Sequence, residues 1–366
     1  MARALQLAER GLYTTDPNPR VGCVLVRDNK IVGEGWHRRA GLPHAEKVAL
    51  ANAGDNAGGS TAYVTLEPCC HHGRTPPCSD ALIAAGVARV VVAMRDPNTL
   101  VAGKGLEQLR AAGILVENGL LEMEARALNP GFVQRMSAGR PYVRCKLAMS
   151  LDGRTAMASG ESRWISGDAS RADVHRLRAH SSAIVTGIGT VLADDPSMTV
   201  RLQAEQLAGV EDAADIRQPL RVVVDSSLQT PIDANILRSR SSRKTVIVTT
   251  SDDGQRRDAL LQAGAELLTQ TGAERVSLKL LCEQLAQREI NELLIEAGPT
   301  LAGAALQAGI IDELVIYMAP HLMGDGARGL FKLPGLERMA QRIPLRIKDV
   351  RQIGEDFRLI LTPESD

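Results

Sequence analysis

A dense cluster of metal-binding residue types constrains this chain more than any other feature. Residues 65–78, TLEPCCHHGRTPPC, hold three cysteines, two histidines and a glutamate, which is more potential ligand than one metal ion needs. A second motif, PHAE at residues 43–46, places His44 twenty-five positions before Cys69. A metal site that uses both motifs must therefore draw its ligands from segments that are far apart in the sequence.

The residue types suit a zinc ion that keeps one coordination position open. H-x-E followed by P-C and a further cysteine is the arrangement of zinc deaminases. One histidine and two thiolates leave a fourth position for water, whose pKa the metal lowers. We expect His44, Cys69 and Cys78 to bind one zinc ion, and Glu46 to act as the catalytic proton shuttle.

Spacing alone does not bring His44 and Glu46 together, because residues two apart point about 200° away from each other on an ideal helix. Pro43 indicates a helix start, where both side chains could converge. The residues by themselves leave other interpretations open. His44 could be a solvated surface residue, the cysteines could form a closed zinc site with four protein ligands, or a zinc-stabilised binding protein could give Glu46 no role.

Charge and composition argue against nucleic-acid binding. Lys+Arg and Asp+Glu are equal at 43 each, so no basic excess is available for a phosphate backbone. Aromatic residues make up only 2%, which leaves few platforms for stacking bases. An RNA-editing or tRNA deaminase with an appended module is therefore the weaker alternative, and we expect a small-molecule substrate.

The sequence carries no pattern typical of export or membrane insertion. The N-terminal MARALQLAERG predicts a short amphipathic helix, and no apolar run approaches the roughly 20 residues of a membrane span. Six cysteines could form three disulfides, but without an export signal this is the weaker interpretation. We expect a soluble cytoplasmic protein with no membrane partner.

Apolar runs and turn residues predict two α/β domains. In the first half, VGCVLV and IVGEGW form a hairpin around the four-residue turn RDNK, and helices then alternate with the strands TAYVTL, RVVVAM and ILVENG. We expect a mainly parallel sheet covered by helices after the hairpin. The predicted linker is MSAGRP, residues 136–141, and we place the domains at residues 1–139 and 140–366.

The second half shows the same alternation without an internal repeat. YVRCKLAMS, SAIVTG, LRVVVD, KTVIVTT, NELLIE and DELVIYMAP are the predicted strands, while polar residues 203–215 predict a loop or surface helix. TGIGT, residues 186–190, follows a strand but has a leucine where the dinucleotide-binding fingerprint needs its third glycine. A plain turn is therefore the default interpretation of that segment.

The unusual spacing of the two cysteines points to one family. Most zinc deaminases have C-x-x-C, whereas eight residues separate Cys69 from Cys78. The run PCCHHGRTPPC, together with DPNP at 16–19 and DPN at 96–98, resembles the deaminase domain of bifunctional riboflavin biosynthesis proteins. In that family the deaminase is fused to a reductase. The resemblance implies Cys70 as a bystander and a pyrimidine pocket formed by Asn18, His71, Arg74, Asp96 and Asn98.

Motifs of the second half resemble reductases of the dihydrofolate-reductase-like fold. They are KLAMSLDG at 146–153, WIS at 164–166, DDP at 194–196, VDS at 224–226 and EAGPT at 296–300. The resemblance implies NADPH as the hydride donor, with its diphosphate at a helix start. Implied cofactor contacts are Ala148, Trp164, Thr190, Asp194, Ser226, Gly298, Pro299, Thr300, Leu301, Ala302, Gly303 and Ala304. Implied substrate contacts are Lys146, Ser162, Arg178, Met198, Arg201 and Glu296.

The resemblance spans nearly the whole chain and implies its architecture and activity. We expect an N-terminal cytidine-deaminase-like α/β/α sandwich and a C-terminal dihydrofolate-reductase-like α/β domain. The first would hydrolytically deaminate 2,5-diamino-6-(5-phosphoribosylamino)pyrimidin-4(3H)-one with zinc. The second would use NADPH to reduce the ribosyl group of the product, giving 5-amino-6-(5-phosphoribitylamino)uracil. The resemblance also implies a homo-oligomer, either a dimer or a tetramer.

Overall fold

A computed structural model describes residues 1–70, 77–99, 101–238 and 244–364. The chain divides into two compact units. The first comprises Met1–Arg140 and Gln203–Arg217, and the second comprises Pro141–Leu202 and Gln218–Asp366. The domain limits drawn from the sequence, 1–139 and 140–366, stay a prediction. Within the described ranges, no helix is long and apolar enough to cross a lipid bilayer.

The first unit is an α/β sandwich around a mixed sheet. Among the described residues the sheet has five strands in the order β2-β1-β3-β4-β5. The strands are β1 (Gly22–Arg27), β2 (Lys30–Trp36), β3 (Thr61–Leu66), β4 (Arg89–Met94) and β5 (Leu115–Asn118). The helices are α1 (Ala2–Glu9), α2 (Ala45–Ala53), α3 (Cys78–Ala84), α4 (Lys104–Ala111), α5 (Glu122–Leu128) and α6 (Pro130–Ala138).

The predicted hairpin and parallel sheet are confirmed, but the predicted four-residue turn RDNK is wrong, because Arg27 and Lys30 belong to the strands and only Asp28 and Asn29 form the turn. Asp28 and Asn29 have φ angles of 49° and 59°, which is the positive-φ pair of a tight hairpin turn, and Arg27 pairs with Lys30 across it. β1 pairs antiparallel with β2 and β3, whereas β3, β4 and β5 run parallel. Apolar side chains of β1, β3 and β4 pack against α2, α3 and α4, so this core sets the carboxyl end of β3 beside the starts of α2 and α3.

The end of the first unit differs from the sequence prediction. The predicted linker at 136–141 begins inside α6, which continues to Ala138 and ends at Gly139 with a φ of 66°. The polar segment 203–215 contains short 3-10 turns at Ala204–Gln206 and Ala213–Asp215, and it belongs to the first unit.

The second unit is built on a larger sheet. Within the described residues its strands are ordered β11-β10-β9-β8-β12-β6-β13-β16-β15. They are β6 (Tyr142–Ser150), β8 (Ala183–Gly187), β9 (Leu220–Val224), β10 (Val246–Thr249), β11 (Glu266–Thr269), β12 (Glu292–Glu296), β13 (Glu313–Ala319), β15 (Leu345–Ile353) and β16 (Asp356–Pro363), while β7 (Arg154–Ala156) and β14 (Arg328–Gly329) form a separate pair. The helices are α7 (Asp168–His180), α8 (Ile188–Asp194), α9 (Asn235–Arg238), α10 (Gly254–Gln262), α11 (Leu278–Gln287) and α12 (Pro299–Gln307).

Both faces of this sheet are buried. Leu293 and Ile295 of β12 pack in one apolar cluster with α11 and α12, whereas Leu294 between them packs on the opposite face with residues of β8, β9 and β10. All strands from β11 to β13 in the order above are parallel, so their carboxyl ends share one edge. The predicted plain turn at 186–190 is wrong, because α8 begins at Ile188, directly after β8.

Candidate functional site

Three of the predicted metal ligands converge in the first unit. His44 is the N-cap residue of α2, Cys78 is the first residue of α3, and Cys69 lies shortly after β3. The Nδ1 atom of His44 is 3.3 Å from the Cys78 Sγ and 3.6 Å from the Cys69 Sγ. All three ligand atoms lie within 4.8 Å of one another. The core therefore assembles a compact donor set from segments that are distant in sequence.

This donor set fits a zinc ion. Atoms held about 2.1–2.3 Å from one ion at tetrahedral angles lie roughly 3.5 Å apart, which matches the observed separations. The backbone N–H of Cys78 donates to the Cys69 Sγ at 3.3 Å. Hydrogen bonds from Cys78 and His44 lower the pKa of the Cys69 thiol, which favours the thiolate that a metal requires. In the described part of the chain, this potential ligand cluster has three members.

Glu46 lies in the first turn of α2, beside His44, with only 3% of its surface exposed. Burial raises the pKa of its carboxyl to about 7. A carboxyl with such a pKa can both accept and release a proton near neutral pH. The start of α2 thus brings the predicted metal ligand His44 and the buried carboxyl of Glu46 into one site, although ideal helical spacing would separate them.

Asn18 is held by a histidine that the sequence did not single out. The Nδ2 of Asn18 is 3.0 Å from the Nε2 of His37, and the Nδ1 of His37 is 3.1 Å from the carbonyl of Pro43. A carbonyl only accepts, so Nδ1 carries the proton, and burial lowers the pKa of His37, which keeps Nε2 an acceptor. Asn18 therefore donates to His37 and is left with its amide oxygen as an acceptor.

Glu67 fixes the loop that carries two other predicted substrate contacts. Its carboxylate accepts the backbone N–H groups of Asp96 and Gly103 at 3.1 and 3.0 Å, and those of Gly105 and Leu106 at 3.0 and 3.4 Å. Position 105 requires glycine, since a Cβ there would lie 2.3 Å from the carbonyl oxygen of Pro68. Within the loop, the side chain of Asp96 accepts the N–H of Asn98 at 2.8 Å.

Two predicted substrate contacts, His71 and Arg74, lie outside the described residues. Cys70 is half-buried and is not a member of the ligand cluster. Asn18, Asp96 and Asn98 are all partly buried.

The predicted reductase residues border one cavity of the second unit, with a volume of about 1470 Å³. All the predicted substrate contacts line it, namely Lys146, Ser162, Arg178, Met198, Arg201 and Glu296. Of the predicted cofactor contacts, Ala148, Trp164, Thr190, Asp194, Ser226, Gly298, Pro299, Thr300, Leu301 and Ala304 line it as well. Ala302 and Gly303 face away, and a Cβ on Gly303 would lie 2.2 Å from the carbonyl oxygen of Lys332. Gly303 thus serves the packing of α12.

A buried group of charges lines the cavity. Arg178 donates to both carboxylate oxygens of Glu296, at 2.6 and 2.8 Å, and to the carbonyl of Thr199 at 3.1 Å. Although burial favours the protonated acid, Arg178 holds the pKa of Glu296 below its usual value. Burial lowers the pKa of Lys146, against the attraction of Glu296.

His175 is a second histidine that the sequence did not point to. It lines the cavity from α7, and burial together with the charges of Arg178 and Arg201 lowers its pKa to about 4. Neighbouring Met198 has a φ of 49°, a conformation that is unfavourable for a non-glycine residue and persists where the surrounding structure enforces it. This part of the cavity is therefore electropositive and suited to an anion.

The turn after β12 suits a diphosphate. Gly298 caps α12 and Pro299 occupies its first turn, so backbone N–H groups at the helix start face the cavity that Thr300 and Leu301 line. Ala297, which precedes Gly298 in this turn, lines the cavity too.

Comparisons with known proteins match both halves. Residues 1–94 match the family model of the cytidine and deoxycytidylate deaminase zinc-binding region, and residues 141–359 match that of the RibD C-terminal domain. The riboflavin biosynthesis protein RibD of Escherichia coli (strain K12) is 52% identical, covering 99% of this chain and 98% of that protein. Its counterpart in Haemophilus influenzae is 49% identical, covering 100% and 96%.

Solved structures show the same similarity over the whole chain. RibD of Acinetobacter baumannii, form 1, has a TM-score of 0.91 at 48% identity, covering 100% of this chain and 98% of that one. A Thermotoga maritima protein, described as a diaminohydroxyphosphoribosylaminopyrimidine deaminase/5-amino-6-(5-phosphoribosylamino)uracil reductase, has a TM-score of 0.82 at 32% identity, covering 99% and 97%. The predicted fold class, a deaminase-like sandwich followed by a dihydrofolate-reductase-like domain, is confirmed.

Proposed function

The chain belongs to the family of bifunctional riboflavin biosynthesis proteins, and we propose how its own residues serve the two reactions. It is an enzyme in which a zinc-binding deaminase domain precedes a reductase domain. The proposed substrate of the first domain is 2,5-diamino-6-(5-phosphoribosylamino)pyrimidin-4(3H)-one, in keeping with the description of the Thermotoga maritima protein. The proposed final product is 5-amino-6-(5-phosphoribitylamino)uracil.

The observation that carries the deaminase assignment is the ligand set with its buried carboxyl. His44, Cys69 and Cys78 would hold one zinc ion, which supplies Lewis acidity that makes water nucleophilic near neutral pH. Glu46 would accept a proton from the attacking water and pass it to the ring nitrogen, and it would then carry the remaining hydroxyl proton to the amino group, which leaves as ammonia. The amide oxygen of Asn18 would accept a hydrogen bond from the pyrimidine.

Further pocket residues complete the proposed deaminase site. Asp96 and Asn98 would contact the heterocycle from the loop that Glu67 holds. His71 and Arg74 are proposed as substrate contacts on the family resemblance alone, Arg74 through the phosphoribosyl group.

In the second domain, the cavity and the α12 turn fit a dinucleotide, and NADPH would supply the hydride. The nicotinamide would lie by Ala148 and Trp164, and the diphosphate by Gly298 to Leu301. Arg201 and the electropositive wall around His175 would bind the substrate phosphate.

The buried charges would act on the ribose. Arg178 donates to Glu296 and to the Thr199 carbonyl, and these bonds fix the Glu296 carboxylate in the cavity. We propose that Arg178 also contacts the substrate from this position. Lys146, whose pKa burial lowers, is proposed to hold or deliver a proton as the ribose ring opens.

Product analysis tests the two activities together. The full-length protein is incubated with the diaminopyrimidine substrate, with and without NADPH, and the products are identified by mass. Without NADPH we expect the product in which one amino group is replaced by oxygen, and with NADPH the same product bearing two more hydrogens. An unchanged substrate mass in both samples would contradict the proposed substrate.

Zinc content tests the ligand assignment, and the chain offers a matched control. Cys78→Ser should weaken zinc binding at least 100-fold, since even changes outside the ligand set typically cost about 10- to 100-fold. Cys70→Ser, which alters the thiol next to ligand Cys69, should retain the metal. Zinc lost only from the Cys70 variant would reverse the assignment.

Localisation and assembly complete the proposal. None of the six cysteines, all of which the structure describes, is in a disulfide, which supports a reducing, cytoplasmic location. We also propose a homo-oligomer, dimer or tetramer, and a monomeric mass by light scattering would contradict this.

A further inference from the structure

A free arginine lies on the cavity wall beyond the predicted cofactor contacts, and we propose that Arg275 binds the 2′-phosphate of NADPH. This phosphate is the only group that distinguishes NADPH from NADH. The inference rests on the proposed function of the second domain, and it adds a residue that sets the choice between the two cofactors.

The order of the strands gives the direction of the cofactor. The predicted contacts follow neighbouring parallel strands: Ala148 lies in β6, Gly298 follows β12, Thr190 follows β8 and Ser226 follows β9. A cofactor with its nicotinamide by β6 and its diphosphate by β12 must extend its adenosine towards β9, β10 and β11. Arg275 lies in the loop that leads from β11 to α11.

Hydrogen bonds tie this loop to the predicted cofactor residue Ser226. The N–H of Val276, adjacent to Arg275, donates to the Ser226 Oγ at 3.1 Å. The Ser226 carbonyl accepts from the Thr249 hydroxyl at 3.0 Å, which anchors it to the end of β10. Arg275 and Ser226 line the same cavity, so an adenosine ribose at Ser226 would present its 2′ position close to Arg275.

The guanidinium of Arg275 is available for a ligand. It is exposed, and it forms no hydrogen bond or ion pair with any residue in the described part of the chain. Other arginines of the cavity are already engaged: Arg163 with Asp194, Arg171 with Asp168, and Arg178 with Glu296. Arg201 and Arg328 line other parts of the wall, beside His175 and Gly160 respectively.

An acidic residue at the end of β9 does not compete for the ribose. In NAD-binding folds such a residue accepts the 2′-hydroxyl. Asp225 directly follows β9, but it is fully buried, and one of its carboxylate oxygens accepts the N–H and the hydroxyl of Thr230, both at 2.7 Å. Asp225 borders the cavity, and its other carboxylate oxygen has no hydrogen-bond partner among the described residues, but that oxygen is buried and closed to a ligand. The exposed guanidinium of Arg275 lies on the wall beside Ser226, and a guanidinium matches a phosphate rather than a hydroxyl.

Binding measurements on the full-length protein test this without turnover. Calorimetric dissociation constants are compared for NADP⁺ and NAD⁺, and for adenosine 2′,5′-bisphosphate and 5′-ADP. Arg275→Gln should weaken NADP⁺ and the 2′,5′-bisphosphate by about 10- to 100-fold, the usual range for a charge-assisted hydrogen bond. NAD⁺ and 5′-ADP should change less than about twofold. Lys279→Gln, the same charge change on an exposed residue outside the cavity, should leave all four unchanged.

The outcomes separate this inference from the proposed function. If the wild-type protein prefers NADP⁺ and Arg275→Gln keeps that preference, Arg275 is not the phosphate ligand. Equal weakening of all four ligands would likewise overturn the inference, because it would show a general role in the cavity wall. If the wild type binds NAD⁺ as tightly as NADP⁺, or neither, the proposed use of NADPH fails and the inference falls with it. Exposed Glu274 also lines this wall, and a carboxylate that faced the ribose would accept the 2′-hydroxyl of NAD⁺ and repel the 2′-phosphate of NADP⁺. Tight binding of NAD⁺ would therefore point to Glu274 rather than Arg275.

Discussion

The metal centre and the reductase cavity use side chains in opposite ways. The centre holds His44, Cys69 and Cys78 with their ligand atoms within 4.8 Å, beside one buried carboxyl. The cavity spreads its predicted contacts over about 1470 Å³, along the carboxyl ends of four neighbouring strands. In the proposed deamination, side chains of the protein would hold the metal and carry the proton, whereas in the proposed reduction the cofactor would supply the hydride and the protein would position it. Single substitutions should therefore abolish the first reaction but only weaken the second.

The sharpest test of this difference is Glu46→Gln. The amide keeps the shape of the side chain but cannot carry the proton, so deamination should fall by about 100- to 10,000-fold. Zinc content and the reduction of already deaminated substrate should not change. Loss of zinc from this variant would make Glu46 a ligand, and the centre would then resemble a closed structural site.

In the reductase cavity the largest effect is expected from Glu296→Gln. It leaves the Arg178 guanidinium buried without its partner, at a cost of about 3–5 kcal/mol in the free energy of unfolding. The folded-state pKa of Glu296 is lowered, so the ionised carboxylate stabilises the folded protein. This contribution to the free energy of unfolding is fully present above the unfolded-state pKa, and it is lost as the pH falls through the folded-state pKa. The difference between variant and wild type should accordingly shrink on acidification below about pH 4.5.

Calorimetric unfolding of the full chain at pH 7 and at pH 4 measures this. Glu283→Gln, on an exposed position of α11, is the control and should leave the free energy of unfolding unchanged at both pH values. A Glu296 variant as stable as the wild type at pH 7 would show that the pair does not hold the cavity together.

Sequence patterns predicted many of the elements and the residues of the ligand cluster because these depend on local chemistry. Apolar runs predicted all five strands described in the first sheet and six of the nine in the second, missing β11, β15 and β16, and Pro43 indicated a helix start at His44. The features that the sequence patterns did not reveal depend on contacts between distant segments. His37 lies nineteen positions from Asn18, and only the folded hairpin brings its ring to that amide.

Other omissions have the same physical origin. The four N–H groups that Glu67 accepts come from residues 29 to 39 positions later, a pairing that no short motif encodes. α8 was missed because two glycines in TGIGT are typical of a turn, whereas in the fold Gly187 is only the cap of the helix. Arg275 lies in a polar loop without a motif, and its relation to Ser226 follows from the strand order and from the hydrogen bond of Val276, which only the fold shows.

Glu67→Gln tests whether deamination also depends on the position of the loop that carries Asp96 and Asn98. One carboxylate oxygen becomes an amide that cannot accept, so two backbone N–H groups lose their partner, at about 1–3 kcal/mol each. The loop with Asp96 and Asn98 should loosen, and the KM for deamination should rise about tenfold with zinc content unchanged. Glu107→Gln on the exposed face of α4 is the control. A loss of zinc instead would place Glu67 in support of the ligands.

The smallest effect is expected from His37→Phe, which keeps the edge-to-face ring contact with His44 but removes both hydrogen bonds. The Asn18 amide then becomes free to rotate, so the KM for deamination should rise about threefold to tenfold, while kcat and zinc content stay unchanged. If His37 acts only through Asn18, the substitution should have no further effect in an Asn18→Ala background. Additive losses in the double variant would show an independent role for His37. A drop in zinc content would instead show that the ring of His37 supports the predicted metal ligand His44. Its main role would then be to hold the metal site rather than to position Asn18.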